Sequence, residues 1–68
     1  MDNYTVNVYW SEQDNRFLAE MPELRGCMAD GVTAEEARQN IQLVAQDWIK
    51  MAKYMGREVP APNSLTYA

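Results

Sequence analysis

Residues 4–21 read YTVNVYWSEQDNRFLAEM and predict a β-hairpin. Apolar and polar side chains alternate over 4–11 and again over 16–21, as they do in strands that bury one face. If the polar residues 12–15 form the turn, the apolar side chains of both strands meet on one face. The facing pairs on that face are then Trp10 with Phe17, Val8 with Ala19 and Val6 with Met21. A slip of one residue would mix the two faces, so the register is strongly specified.

The segment that follows predicts a loop and a short third strand. Pro22 has no N–H to donate and therefore ends the second strand. Residues 22–26 read PELRG and predict a turn, and residues 27–30 read CMAD and predict the third strand. Asp30 and Gly31 form a turn-type pair, which we expect to break this strand.

A single long helix is predicted from about Ala34 to Met55. Thr33 and Glu36 form a capping box, in which the Thr33 hydroxyl accepts from the Glu36 amide and the Glu36 carboxylate reaches back to the Thr33 amide. Gly56 supplies the left-handed residue that ends a helix. Steps of three and four define an apolar stripe that we expect to cover the sheet. Its members are Ala37, Ile41, Val44, Ala45, Trp48, Ala52 and Met55.

These elements predict one α+β domain over residues 1–68, a three-stranded antiparallel sheet packed on one long helix. Residues 57–59 have room for a short fourth edge strand, which would give the order β-β-β-α-β. Pro60 and Pro62 limit any strand there. Residues 60–68 are expected to form a short C-terminal tail.

The size and charge of the chain restrict its partners. A domain of 68 residues buries little core, and such domains are commonly stabilised by disulfides, metals or oligomerisation. With one cysteine and no histidine, oligomerisation remains, so we expect a homo-oligomer, either a dimer or a tetramer. The net charge of −4 and the scattered Lys and Arg residues argue against direct nucleic-acid binding and suit a basic protein partner.

The unpaired cysteine, the lack of a membrane-length apolar run and the lack of a signal-peptide pattern predict a cytoplasmic protein that makes no membrane contact.

Few residues support catalysis. The absence of histidine removes the commonest general base and the Ser-His and Cys-His dyads. Cys27 is interpreted as a small core residue. Glu20, Asp30 and Glu36 sit where strand ends and a helix start can converge, and they define an alternative interpretation, a weak metal-dependent nuclease. Surface and capping roles explain them more simply, so we expect no enzyme activity, no metal and no cofactor.

Two pairs of apolar residues fall outside the predicted core. Leu43 and Tyr54 share the side of the helix away from the core stripe, and Tyr9 and Leu18 lie on the sheet face away from the helix. Paired exposed apolar side chains indicate contact surfaces. We expect either pair to serve as the homo-oligomer contact and the other to remain free for a different protein.

Two runs of sequence resemble the HicB-like antitoxin family. Residues 17–27, FLAEMPELRGC, resemble its pattern aromatic-x-Ala-x-x-Pro-x-Leu-Pro-Gly-Cys, with Arg25 in place of the second proline. Residues 29–41, ADGVTAEEARQNI, are similar to its helix start x-Asp-Gly-x-Thr-x-Glu-Glu-Ala-x-x-Asn. The residues that carry the family pattern in the loop and turn are Pro22, Leu24, Gly26, Cys27, Asp30 and Gly31.

The resemblance implies a partial ribonuclease-H-like fold and a role in binding a small basic toxin that cleaves messenger RNA, whose active site the antitoxin covers. Members of the family commonly add a C-terminal DNA-binding domain. A chain that ends at Ala68 leaves no room for one, so we expect no direct DNA binding.

Three interpretations therefore remain. The first is an antitoxin-type protein-binding module. The second is a homo-oligomeric structural or regulatory adaptor of the same fold with no toxin partner. The third is the metal-dependent nuclease.

Overall fold

The computed structural model describes residues 4–62. Three strands and one helix follow in the order β1 (Asn7–Ser11), β2 (Arg16–Glu20), β3 (Met28–Gly31) and α1 (Ala34–Tyr54). The strands form one antiparallel sheet in the order β1-β2-β3. Helix α1 packs across one face of the sheet, most closely on β3. The predicted α+β class, a three-stranded antiparallel sheet with one long helix, is confirmed.

The hairpin forms in the register that the alternation predicts, with Trp10 facing Phe17 and Val8 facing Ala19. Asn15 closes the turn with a φ of 55°, a left-handed conformation that asparagine tolerates better than most residues. The Ser11 hydroxyl accepts from the Asp14 amide at 3.2 Å. The strands are shorter than predicted, however, since β1 begins at Asn7 and β2 ends at Glu20.

The hydrophobic core lies between α1 and the sheet and extends under the loop between β2 and β3. Its buried members are Ala19, Met21, Leu24, Cys27, Ala37, Ile41 and Ala45. The alanines on both β2 and α1 allow the helix to approach the sheet closely, because they add no side chain beyond Cβ. Val44 and Trp48 are partly buried at the edge of this core, so most of the apolar stripe that was predicted to cover the sheet is confirmed.

Two apolar residues that the patterns assign to the buried face are exposed. Met55 is wrongly predicted as core, because α1 ends at Tyr54 and Met55 is the C-cap residue, where the chain turns away. Trp10 lies near the hairpin turn and remains exposed. Its ring packs edge-on against Phe17 instead, with 5.0 Å between ring centroids and 71° between planes.

The ends of α1 are set by local hydrogen bonds. The Thr33 hydroxyl accepts from the Glu36 amide at 3.0 Å, as predicted. The Glu36 carboxylate, however, accepts from the amide of Val32 at 2.6 Å and not from that of Thr33. The donor is thus one residue earlier than predicted, because the long glutamate side chain extends past Thr33 and reaches the amide of Val32.

The C-terminus of α1 is a Schellman motif. The Gly56 amide donates to the Lys53 carbonyl at 3.1 Å, and the Arg57 amide donates to the Ala52 carbonyl at 2.8 Å. This pattern requires a left-handed residue after the cap, and Gly56 supplies it with a φ of 74°. The predicted helix stop is therefore confirmed.

Residues 57–61 form no strand in the described part of the chain, so the short fourth edge strand predicted at 57–59 is absent. The amide of Arg57 is already used by the helix terminus, and Pro60 has no amide to give to a ladder. The segment is held instead by the Tyr4 hydroxyl, which donates to the Pro60 carbonyl at 2.5 Å. Of the predicted tail, residues 60–68, only 60–62 lie within the described residues.

Candidate protein-binding surfaces

The loop between β2 and β3 consists of two successive turns around a buried leucine. The Leu24 amide donates to the Met21 carbonyl at 3.0 Å, and the Cys27 amide donates to the Leu24 carbonyl at 2.9 Å. The Met21 amide donates to the Cys27 carbonyl at 3.1 Å and closes the loop. Gly26 has a φ of 78°, as the third position of a type II turn requires. Pro22, Leu24, Gly26 and Cys27 thus shape the loop and its core.

Glu23 occupies a position in this loop that the sequence does not single out. Its side chain is only 4% exposed. Its carboxylate accepts from the Thr5 amide at 3.0 Å and from the Thr5 hydroxyl at 2.8 Å. Both bonds link the loop to the residues that lead into β1. The two partners are 18 residues apart in the chain, and no local pattern signals such a contact.

Cys27 is buried beneath the loop, as predicted for a core residue. Burial away from water raises the pKa of its thiol, because the thiolate loses solvation. The neutral thiol is therefore favoured, which is the opposite of what a cysteine nucleophile needs.

Gly31 is the last residue of β3 and faces Phe17 on β2. The prediction that Asp30 and Gly31 break the strand is therefore wrong, because both residues pair with β2. A Cβ on Gly31 would lie 2.5 Å from the backbone nitrogen of Ala37. Glycine is required here for the close approach of strand and helix. The Asn40 amide group also donates to the Asp30 carbonyl at 2.8 Å and ties the helix to the same strand end.

The sheet has one face that α1 does not cover, which we call the outer sheet face. Alternation along the strands assigns eight side chains to it. They are Asn7, Tyr9, Ser11, Arg16, Leu18, Glu20, Met28 and Asp30. Tyr9 and Met28 are exposed and Leu18 is half-buried between them on the central strand. Tyr9 on β1 and Leu18 on β2, one of the two predicted surface pairs, thus lie opposite each other on this face.

Charges surround the apolar centre of the outer sheet face. The Arg16 Nε lies 2.8 Å from the Asp30 Oδ2, although its N–H is not aligned for a hydrogen bond. Glu20 lies on the same face, and Glu12 and Asp14 lie in the adjoining hairpin turn. Asp14 adjoins the face, since its carboxylate accepts from the Ser11 hydroxyl. With Glu20 and Asp30 it places three carboxylates beside one guanidinium, so the local charge of the face is negative.

A second exposed surface runs along α1 and is called here the helix stripe. Its five members are Leu43, Asp47, Lys50, Met51 and Tyr54. The exposed fractions of its apolar side chains are 62% for Leu43, 57% for Met51 and 88% for Tyr54. The helix stripe and the outer sheet face lie on opposite sides of the two-layer fold. The two predicted pairs of surface residues therefore belong to separate surfaces.

The candidate metal ligands are not brought together. Within residues 4–62, no three His, Cys, Asp or Glu side chains are close enough to hold a metal ion. Glu20 and Asp30 lie on the outer sheet face, whereas Glu36 is engaged at the helix N-terminus.

No described helix is long and apolar enough to cross a membrane.

Comparison with known proteins gives a family. A family model described as UPF0150-like matches residues 6–60. The UPF0150 protein ssl0259 of Synechocystis sp. is 32% identical over 59 residues, which span 87% of this chain and 80% of that protein. No solved structure matches the chain at a significant level. The matched segment contains all three strands and the whole of α1. The chain belongs to the UPF0150-like family.

Proposed function

We propose that this protein is an antitoxin-type binding module that neutralises a small basic RNA-cleaving toxin by covering the toxin's active site. The observation that carries the proposal is the outer sheet face, where exposed Tyr9 and Met28 are surrounded by an excess of carboxylates. An enzyme that cleaves RNA presents a basic surface to the phosphate backbone. An acidic face with an apolar centre is complementary to such a surface.

The sequence resemblance supports the same conclusion. The two runs that are similar to HicB-like antitoxins, residues 17–27 and 29–41, both lie inside the segment matched by the family model. In the structure these runs build the loop core and the junction of β3 with α1. They therefore support the scaffold and also contribute Leu18, Glu20 and Asp30 to the outer sheet face, which is the surface proposed to contact the toxin.

Both charge and apolar area have a role in the proposed complex. Carboxylates at the rim raise the association rate and select a basic partner, but exposed ion pairs contribute little affinity individually. The larger part of the affinity comes from burying aromatic and methionine side chains at the centre. Tyr9 and Met28 are the exposed side chains of that kind on this face.

The test is co-purification followed by an inhibition assay. A tagged chain is expected to recover one small basic protein from the native lysate in a fixed ratio and to inhibit RNA cleavage by that protein. The variant Glu20→Lys reverses a charge on the outer sheet face and is expected to lose both properties. Glu58→Lys makes the same change in an exposed residue after α1 and is expected to keep them.

Leu43→Asp provides a second control, because it alters the helix stripe alone. If this variant loses the partner while Glu20→Lys retains it, the outer sheet face is the wrong surface. If no RNA-cleaving protein is recovered and the chain returns only itself as a defined oligomer, the antitoxin proposal is contradicted.

The exposed helix stripe favours a second candidate function, a homo-oligomeric structural or regulatory adaptor of the same fold. Tyr54 is a large aromatic residue that is 88% exposed, which is unusual for a side chain with so much apolar area. The two candidates are distinguished by the assay above, since an adaptor would self-associate and leave RNA cleavage unchanged.

A further inference from the structure

The five residues of the helix stripe lie close together around the helix axis. At about 100° per residue, positions 43, 47, 50, 51 and 54 fall within a sector of about 100°. The buried residues Ala37, Ile41, Ala45 and Ala52 occupy the opposite side of α1. The stripe is therefore a continuous surface that points away from the core, with the charged residues Asp47 and Lys50 at its middle and apolar side chains toward both ends.

The order of residues in the helix stripe is self-complementary. The midpoint between Asp47 and Lys50 along the helix is also the midpoint between Leu43 and Tyr54. A two-fold axis at this midpoint, perpendicular to α1, pairs opposite charges with each other and apolar side chains with each other. Such a match between a surface and itself is what an isologous contact requires.

We propose that the helix stripe binds the same stripe of a second copy, with the two α1 helices antiparallel. Asp47 of each copy then faces Lys50 of the other, and Leu43 of each copy faces Tyr54 of the other. Two ion pairs lie at the centre and two apolar contacts flank them. A parallel arrangement would instead place Asp47 against Asp47 and Lys50 against Lys50, so repulsion of like charges selects the antiparallel one.

The shape of the surface fits this arrangement. Asp47, Lys50, Met51 and Tyr54 line a shallow and mainly apolar depression. In the antiparallel pair, Leu43 of the second copy lies over this depression, as a side chain of one helix fits between those of its neighbour. Met51 borders the depression and supplies a flexible thioether that adapts to the inserted leucine.

The contact is small, since it involves one face of one helix from each copy. Stable dimers commonly bury about 800 Å² per partner, and a single helix face provides less than this. We therefore expect a dimer that dissociates in the micromolar range. The inference is independent of the proposed toxin binding, which uses the opposite side of the molecule.

The test is sedimentation of the full chain over concentrations from low micromolar to millimolar. The wild-type chain is expected to pass from a monomer of 7.8 kDa to a dimer. Asp47→Lys alone or Lys50→Asp alone places like charges on both sides of the axis and is expected to raise the dissociation constant about tenfold. The double variant Asp47→Lys/Lys50→Asp restores both ion pairs and is expected to return to the wild-type constant.

Lys53→Asp is the matched control, because it makes the same charge reversal on α1 outside the helix stripe. It is expected to leave the dissociation constant unchanged. Circular dichroism of each variant separates loss of the dimer from loss of the fold. A chain that stays monomeric up to millimolar concentration, or a double variant that is no better than the single ones, would overturn the inference.

Discussion

The indole N–H of Trp48 donates to the carbonyl of Arg25 at 2.8 Å. This bond joins the middle of α1 to the exposed top of the loop between β2 and β3, 23 residues earlier in the chain. The ring itself packs against the buried core. Trp48 therefore holds the loop and the helix together through both a polar and an apolar contact.

Trp48→Phe separates these two contributions, because it keeps most of the ring and removes the donor. We expect it to lower the free energy of unfolding by about 1–2 kcal/mol, which is the cost of one lost hydrogen bond together with some lost packing. Trp48→Ala is expected to cost about 3 kcal/mol or more, which would leave so small a domain largely unfolded. Urea denaturation followed by circular dichroism measures both, and equal losses in the two variants would contradict the role given to the ring.

Gly31→Ala tests the contact between β3 and the start of α1. The added Cβ would lie 2.5 Å from the Ala37 nitrogen, and neither backbone can move aside cheaply. We expect a loss of about 2–3 kcal/mol in the free energy of unfolding. Gly26→Ala is the control, since a Cβ there meets nothing within 4 Å and only the left-handed φ is penalised, by about 1 kcal/mol. A Gly31→Ala protein as stable as the Gly26→Ala protein would show that the helix can shift.

Arg25→Pro is expected to stabilise the protein by about 0.4–1 kcal/mol. Arg25 is the second residue of the turn from Leu24 to Cys27, where a type II turn favours the φ of proline. Within residues 4–62 the Arg25 amide donates no backbone hydrogen bond. Replacing Arg25 by proline, which has no amide N–H, therefore removes no bond within those residues. Thermal unfolding of Arg25→Pro beside Arg25→Ala distinguishes proline's restriction of the unfolded chain from simple loss of the arginine side chain. A lower midpoint for the proline variant would rule out this turn geometry.

Thr33→Ala removes the side chain that caps α1. The Glu36 amide would lose its acceptor, and we expect a cost of about 1 kcal/mol. Thr33→Ser retains the hydroxyl and is expected to stay within a few tenths of the wild-type value. Chemical denaturation is the measurement, and a serine variant as destabilised as the alanine variant would assign the effect to the lost methyl group.

Because the Cys27 thiol is buried, we expect the free energy of unfolding to fall at alkaline pH. Burial raises the pKa of its thiol above the ordinary value of 9.0, so the unfolded chain ionises at a lower pH than the folded one. Its contribution to stability is therefore complete below about pH 9 and is lost as the pH rises through the folded-state value. The Cys27→Ala variant lacks this contribution. We expect the difference in the free energy of unfolding between wild type and Cys27→Ala to shrink above pH 9, whereas a constant difference would contradict the burial effect.

Local sequence determined the hairpin, the helix and its ends. The register of β1 and β2 follows from alternation over residues 4–21, because a shift by one residue would exchange the faces of the strand. Thr33 and Gly56 mark the ends of α1 through bonds to residues a few positions away. The exposed positions of Leu43 and Tyr54 follow from the helical repeat in the same way.

Tertiary structure decided the features that depend on residues distant in the chain. Glu23 is buried because Thr5 supplies donors to its carboxylate, and no spacing within the loop indicates that partner. Gly31 belongs to β3 because Phe17 pairs with it and α1 approaches it closely, although an Asp-Gly pair normally signals a turn. Met55 leaves the core because the chain turns at the end of α1, and the segment 57–59 forms no strand because its first amide is used by the helix. Periodicity carries information over a few residues, whereas these outcomes depend on which distant groups the fold brings within hydrogen-bonding or van der Waals distance.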